Sequence, residues 1–495
     1  MTSSPLSSPF AFDNSYTRLP VRFYAKVAPT PVSAPRLIAL NETLCAELGI
    51  SEAMLTPSAE VLLSGNVLPE GAASIAQAYA GHQFGSFVPQ LGDGRAILLG
   101  EILDAAGNRR DVQLKGAGPT PFSRRGDGRA ALGPVLREFL LSEAMDALGI
   151  PSTRSLAAVA TGEKVYREEA LPGAVLTRVA SSHIRVGTFE YFAAREDNHG
   201  VEILARHVIA RHYSEVQSAE NPFLELLKRV CFQQAVLVAR WMQVGFIHGV
   251  MNTDNMAVSG ETIDYGPCAF LDAYDPEKVF SAIDRGGRYA FGNQARVAQW
   301  NLARFAETLL PLLDAEPERA LELASGVIHR IPEWFQEEWL SGMGKKIGLE
   351  CREEQDLLLV EELLESMHRG EADFTLTFRR LCNAAEHPSG DALVRELFSN
   401  PALYDVWAVR WRERLAREAT PCALRAERMR NVNPALIPRN HRVEQALSAA
   451  REGDFGPFER LRRALSRPFS AETECTDYAS APLPNERVQR TFCGT

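Results

Sequence analysis

The sequence predicts an α+β protein of two lobes, a strand-rich N-lobe followed by a helical C-lobe with additional C-terminal helices. Three observations predict it. Between residues 91 and 180, short apolar runs bounded by Gly and Asn read as strands around one embedded helix. From about residue 195 the apolar residues recur at helical spacing, without a repeat period. The two regions meet at a polar stretch, 246–272, which interrupts the helices and places a cleft between the lobes.

The 495 residues are 45% hydrophobic and 23% charged. Those values are ordinary for a globular chain and exclude a disordered, collagen-like or disulfide-stapled one. With 53 basic and 63 acidic residues the net charge is −10, which argues against a general nucleic-acid grip but leaves room for a local basic pocket. Eight Cys are scattered without a C-x-x-C pair and read as reduced thiols of a cytoplasmic protein. No apolar run approaches 18 residues and no secretory leader is present, so neither membrane nor nucleic acid is expected as a partner.

In chain order, residues 1–80 form an N-terminal extension wrapping the core. Its Ser- and Pro-rich part, 1–35, is expected to lie loosely on the surface, and 36–80 reads as helical. Residues 81–195 form the N-lobe, with strands at 91–103, 111–118, 156–168 and 173–180, and Thr161-Gly162 as a turn. Pro134–Leu148 is apolar at helical spacing, with Pro134 in its first turn and Gly149 at its end. Residues 196–495 form the C-lobe. It holds a long buried helix at 221–245, a catalytic loop at 246–272 and a helical C-terminal extension. Within the loop a hairpin is expected across Ser259-Gly260.

The chemistry-bearing residues fall in the same order. In LGDGR, Gly92 and Gly94 precede a strand and let backbone N–H groups approach a phosphate, though a plain turn gives the same pattern. Lys115, one of seven Lys in the chain, ends an apolar strand. Glu138 follows on a helix that is apolar nearly all round, with Glu143 and Asp146 competing as partners of that Lys. Arg95, Arg124, Arg125, Arg129, Arg178 and Arg185 crowd the N-lobe and suit a polyphosphate pocket, and Asp127 sits in a Gly-Asp-Gly turn. Asn252, Asp254, Asn255 and Asp264 lie within 13 positions. An amide and a carboxylate there are enough for Mg²⁺ when phosphates complete the shell. His183 and His248 read as structural. Gly loop, strand Lys, helix Glu, loop Asn and Asp-x-Gly is the order of a protein kinase, so a protein-kinase-like two-lobed fold is expected. One departure stands out. Five residues before Asn255, where a kinase carries its base, the residue is Val250, and Asp254 is the nearby substitute.

Longer stretches carry a closer resemblance: YAGHQFGSFVPQLGDGRA (79–96), LKGAGPTPFSRRGDGRAAL (114–132), REFLLSEAMDALGIPSTRSL (137–156), HGVMNTDNM (248–256), IDYGPCAFLDAYDP (263–276) and RNVNPALIPRN (430–440). Together they resemble the selenoprotein O (YdiU-type) family almost end to end. The resemblance implies a kinase-like fold once classed as a pseudokinase. It implies transfer of AMP from ATP to Ser, Thr or Tyr hydroxyls of protein substrates, with UTP and Mn²⁺ as an alternative donor pair. It also implies a nucleotide reversed relative to kinases. On this chain it assigns nucleotide contacts to Gly92, Gly94, Arg95, Lys115, Asp127, Gly128, Arg178, Arg185 and Asp264. Asp254 becomes the proton acceptor, Asn255 and Asp264 the Mg²⁺ or Mn²⁺ ligands, and Glu138 the partner of Lys115. Cys493 takes the family's redox-active place near the C-terminus. Ser281 stands where a pairing Cys is expected, and Cys268 is the alternative partner. The competing functions are a kinase that transfers the γ-phosphoryl group and a nucleotide-binding scaffold without turnover.

Overall fold

The computed structural model describes residues 9–474 and 477–492. Its first part is an antiparallel sheet. Strands β1 (Tyr24–Lys26), β2 (Arg36–Leu40) and β3 (Ile75–Gln77) come from the N-terminal segment. A separate hairpin, β4 (Gly81–Gln83) and β5 (Ser86–Val88), follows. Then come β6 (Ala96–Leu103), β7 (Arg109–Lys115), β8 (Ala130–Ala131), β9 (Arg154–Tyr166) and β10 (Ala170–Ala180). The sheet order is β1-β3-β6-β7-β10-β9-β2, with β8 pairing β10 beyond the end of β7.

Alternation gives the sheet its two faces. Ile97, Leu99, Val112, Leu114, Val175 and Val179 pack against Leu44, Leu55 and Leu63 of the short helices α1 (Glu42–Glu47), α2 (Glu52–Leu55) and α3 (Ala59–Leu63). On the other face, Ala158, Ala174 and Leu176 pack against α4 (Leu132–Ala147). Arg178 on β10 and Gln113 on β7 are cross-strand partners, and Lys115 pairs with Leu176 two residues along.

Most of the remaining chain is helical: α5 (Val186–Ala193), α6 (Asn198–His212), α7 (Pro222–Gln243), α8 (Gln294–Leu313), α9 (Pro317–Lys346), α10 (Asp356–Arg369), α11 (Phe374–Glu386), α12 (Asp391–Arg395), α13 (Pro401–Leu415), α14 (Cys422–Arg430), α15 (Asn440–Arg451) and α16 (Gly456–Leu465). The long α7 starts on Asn221, whose side chain accepts from Leu224 N–H, and packs on α8 and α9. α15 and α16 return to the N-lobe and cover the outer side of α4. That double coverage explains why α4 is apolar nearly all round. The α+β class with a helical second part is the expected one. Among the described residues no helix is long and apolar enough to cross a membrane.

Four local expectations are corrected. Residues 9–35 do not lie loosely, because Phe10, Tyr16 and Phe23 are buried and the buried carboxylate of Glu101 accepts from Ser15 Oγ and Tyr16 N–H. Residues 36–80 are not wholly helical, because β2 and β3 join the sheet there. Thr161-Gly162 lies inside β9, and the register shift is taken up opposite, between Pro172 and Ala174. No hairpin forms across Ser259-Gly260. Val258 N–H bonds Ile184 and Thr262 N–H bonds Pro151, so the two arms attach to the N-lobe. The pair that does form is β11 (Phe246–Ile247) with β12 (Ala269–Phe270).

The C-terminal segment is fastened by a buried charge. Arg439, 1% exposed, donates to both carboxylate oxygens of Asp373 at 2.7 and 3.0 Å and to Asp272 at 3.1 Å. Asp373 also caps α11 by accepting from Leu376 N–H. Removing the cation strands a buried carboxylate, so Arg439→Ala is expected to destabilise the chain by about 3–5 kcal/mol. Urea unfolding followed by tryptophan fluorescence checks this.

Candidate active site

On β7 and β10, alternate residues face the cleft, which puts Lys115 and Arg178 beside α4 and the loop that carries Asp264. Lys115 Nζ donates to Glu138 Oε2 at 2.6 Å and to Asp264 Oδ1 at 2.9 Å. Arg178 donates through Nε (2.8 Å) and Nη2 (2.5 Å) to Glu138 Oε1, and through Nη2 to Asp264 Oδ1 at 2.6 Å. Arg185, at the N-cap of α5, donates through Nη1 to Asp264 Oδ2 at 3.1 Å and to the Asp254 carbonyl at 2.9 Å. Its guanidinium lies 4.5 Å from the centre of the Tyr79 ring, a cation–π distance.

Three cations therefore meet two carboxylates in a nearly buried cluster. Burial pushes the Glu138 carboxyl up, but Arg178 and Lys115 outweigh it and hold Glu138 below its ordinary range. Burial acts likewise on Asp264, where Lys115, Arg178 and Arg185 hold the carboxyl well below the ordinary range. Asp264 has φ of 63°, a left-handed conformation uncommon for a residue with a side chain. Its three charge-assisted hydrogen bonds keep it there. The rival carboxylates are committed elsewhere: Glu143 to Arg154 and Asn41, and Asp146 to Arg154.

Asp254 lies in a single 3₁₀ turn, Thr253–Asn255. Burial pushes its carboxyl up to about 6, against the opposing charge of Arg185. Gln83 Nε2 donates to Oδ2 at 3.4 Å, while Oδ1 is buried without a hydrogen-bond partner. Asn255 donates Nδ2 to the Val250 carbonyl at 2.9 Å. Asn252 Oδ1 accepts from Phe84 N–H and the Tyr289 hydroxyl. Gly81 is required here, because a Cβ would sit 2.6 Å from Asp254 Oδ1.

A cleft of about 490 Å³ brings most of the expected residues together: Gly92, Gly94, Arg95, Lys115, Asp127, Gly128, Arg178, Arg185, Asp254, Asn255 and Asp264 all line it. Glu138 lines a smaller adjoining recess behind Lys115. Gly92, at φ of 79°, has a packing reason as well, since a Cβ would fall 2.3 Å from the Phe122 ring. The Asp127 side chain binds Arg167 and the N–H of Arg129. His183 bonds Asp111 and His248 bonds the Ile263 carbonyl, both fully buried, as structural histidines do. Cys493 lies outside the described residues. Cys268 is buried, Ser281 bridges to Thr491, and the Thr491 hydroxyl donates to the Pro267 carbonyl, which places the C-terminal segment beside the Asp264 loop.

Two cleft residues have no clear sequence signal. Asp93 is buried between the glycines, accepts from Gln77 N–H at 3.0 Å and lies 3.8 Å from Arg185. Burial pushes its carboxyl up to about 6, with Arg185 opposing. Gly-Asp-Gly reads as turn chemistry, which hides it. Tyr79, under Arg185, is marked by nothing in its neighbours.

The chain matches the family model described as protein adenylyltransferase SelO over residues 8–466. It is 59% identical to the protein nucleotidyltransferase YdiU of Rhizobium meliloti (strain 1021) over 487 residues, 98% of this chain and 99% of that one. It is 60% identical to the YdiU protein of Rhodopseudomonas palustris (strain BisB5), covering 98% and 99%. Identity to the YdiU protein of Rhizobium johnstonii is also 60%, covering 98% and 97%. With its two-part α+β fold, its Lys115–Glu138 pair and this match over nearly its whole length, the chain belongs to the SelO family of protein adenylyltransferases.

Proposed function

We propose that this chain transfers AMP from ATP to hydroxyl side chains of proteins, with Asp254 as general base. The observation that carries this reading is where the charges lie. Arg178 and Arg185 are 1% and 3% exposed and line the cleft together with Lys115. Arginines so placed suit the outer phosphates of ATP. With those phosphates held deep, the α-phosphorus is the electrophile left accessible to an acceptor. Val250 at the kinase base position has no proton-accepting side chain, whereas Asp254 lines the same cleft with a carboxylate. In the step proposed, the acceptor O–H gives its proton to Asp254, the oxygen bonds to the α-phosphorus, and the bond to the β-phosphate oxygen breaks. Lys115, Arg178 and Arg185 stabilise the pyrophosphate that leaves. The same grip on outer phosphates would serve UTP.

Asp264 and Asn255 are the residues proposed to hold Mg²⁺ or Mn²⁺. They fit a nucleotide-borne ion: one carboxylate and one amide share the cleft, and phosphate oxygens and water would supply the other ligands. Such an ion would neutralise charge developing on the phosphates.

Asp254→Asn is expected to lower turnover by ~10²–10⁴-fold while leaving ATP affinity nearly unchanged. The reaction is read with ATP labelled at the α or the γ position, and with UTP beside it. Protein labelling from α-labelled ATP alone supports the reading. Labelling from γ-labelled ATP alone overturns it in favour of a kinase, and tight ATP binding with neither label favours a scaffold. A second expectation concerns the metal. Asp264→Ala should abolish most metal-dependent binding of a non-hydrolysable ATP analogue, and Asn255→Ala should weaken it less, because a carboxylate brings a full charge and an amide a dipole. Metal titration by calorimetry decides, and equal losses would refute the division of roles.

A further inference from the structure

The catalytic turn is held one residue upstream of Asp254. Thr253 is fully buried, and its hydroxyl donates to Glu190 Oε2 at 2.5 Å while accepting the backbone N–H of His82 at 2.7 Å. Glu190 Oε1 lies 2.5 Å from His82 Nδ1. Side chains from the catalytic turn, α5 and β4 thus close a ring of hydrogen bonds. The His82 ring is boxed in by Phe87 at 5.0 Å and by the edge of Trp300 at 5.2 Å.

Glu190 is 4% exposed, and a buried carboxyl of this kind is tolerated when hydrogen bonds surround it. Its helix begins at Arg185, which donates to the Asp254 carbonyl. α5 therefore grips the turn at two points, the Thr253 hydroxyl through Glu190 and the Asp254 backbone through Arg185. A helix is stiff over this length, so the spacing between the phosphate-side Arg185 and Asp254 is fixed by α5. The third member, His82, lies between Gly81, which makes room for the Asp254 carboxylate, and Gln83, which donates to Oδ2. Anchoring His82 fixes both neighbours. One carboxylate oxygen then faces Gln83, and the other, Oδ1, is left without a partner.

We propose that Glu190 is a positioning residue for the transfer reaction. Through Thr253 and His82 it holds the Asp254 carboxylate between the β4 wall and Arg185, on the lining of the cleft. This rests on Asp254 being the base. It assigns no contact with substrate to Glu190 itself.

The test is a double-mutant cycle in the full-length protein, reading kcat, KM for ATP, ATP affinity and the thermal midpoint. Glu190→Ala and Thr253→Val are each expected to lower kcat by ~10²-fold, the size of a small misplacement of a reacting group, with ATP affinity changed less than ~3-fold. Thr253→Ser, which restores the hydroxyl, should recover at least ~10-fold of the Thr253→Val loss. On an Asp254→Asn background, Thr253→Val should lower kcat no further, because residues that act as a unit are not additive. If Glu190→Ala does not fold, Thr253→Val decides alone. The proposal is overturned if Thr253→Val keeps the parent kcat. It is equally overturned if the loss lies in ATP affinity, or if Thr253→Val lowers kcat just as much on the Asp254→Asn background. Failure of the adenylyl-transfer reading is seen separately, as γ-label instead of α-label on the acceptor with the unsubstituted protein.

Discussion

The carboxylate of Asp264 is the point on which the active cleft depends. It receives Lys115 from β7, Arg178 from β10 and Arg185 from the start of α5, and it sits on the loop between β11 and β12. Sheet, helix and loop thus reach one pair of oxygens. None of the three cations would be tolerated so deep without an anion, and Asp264 would not keep its left-handed backbone without them. Glu138 accepts further hydrogen bonds from Lys115 and Arg178, so most of the cluster's charge is paired within it. A ligand rich in negative charge would compete with Asp264 for cations already gathered and oriented, which is preorganisation in the electrostatic sense.

Much of this was legible in the sequence. Lys115 was conspicuous as a rare residue at the end of an apolar strand, and Glu138 as a carboxylate on a helix with no polar face. α15 and α16 supply the reason for that helix, but their arrival on the outside of α4 is a long-range event that no local pattern records. Asn255 and Asp264 do share the cleft, although not through the expected hairpin. The segment between them pairs with Ile184 and Pro151, partners far off in the chain. A turn signal such as Ser259-Gly260 predicts a reversal of direction but not what the reversed strands will pair with.

The less legible residues share a physical cause. Asp93 matters because it is buried beside Arg185, and burial is a property of the folded surroundings. Glu190 and Thr253 look like ordinary helix and loop residues until β4 brings His82 against them. Short strands misled for a related reason. β2 and β3 have five and three residues, too few to establish a period, and they are strands because β9 and β6 are there to pair with.

The covering of α4 on both sides has a consequence for control. In protein kinases the corresponding helix swings, and activity follows whether its Glu has met the strand Lys. Here α4 is wedged between the sheet and α15, and Arg137 on it reaches the carbonyls of Gly266 and Cys268 and the carboxylate of Glu444. To swing out, the helix would have to break contacts with both lobes at once. The Lys115–Glu138 contact is therefore a fixed part of the frame and not an on–off switch. The sheet on one side and α15 on the other thus hold Glu138 in place as a frame holds a pane.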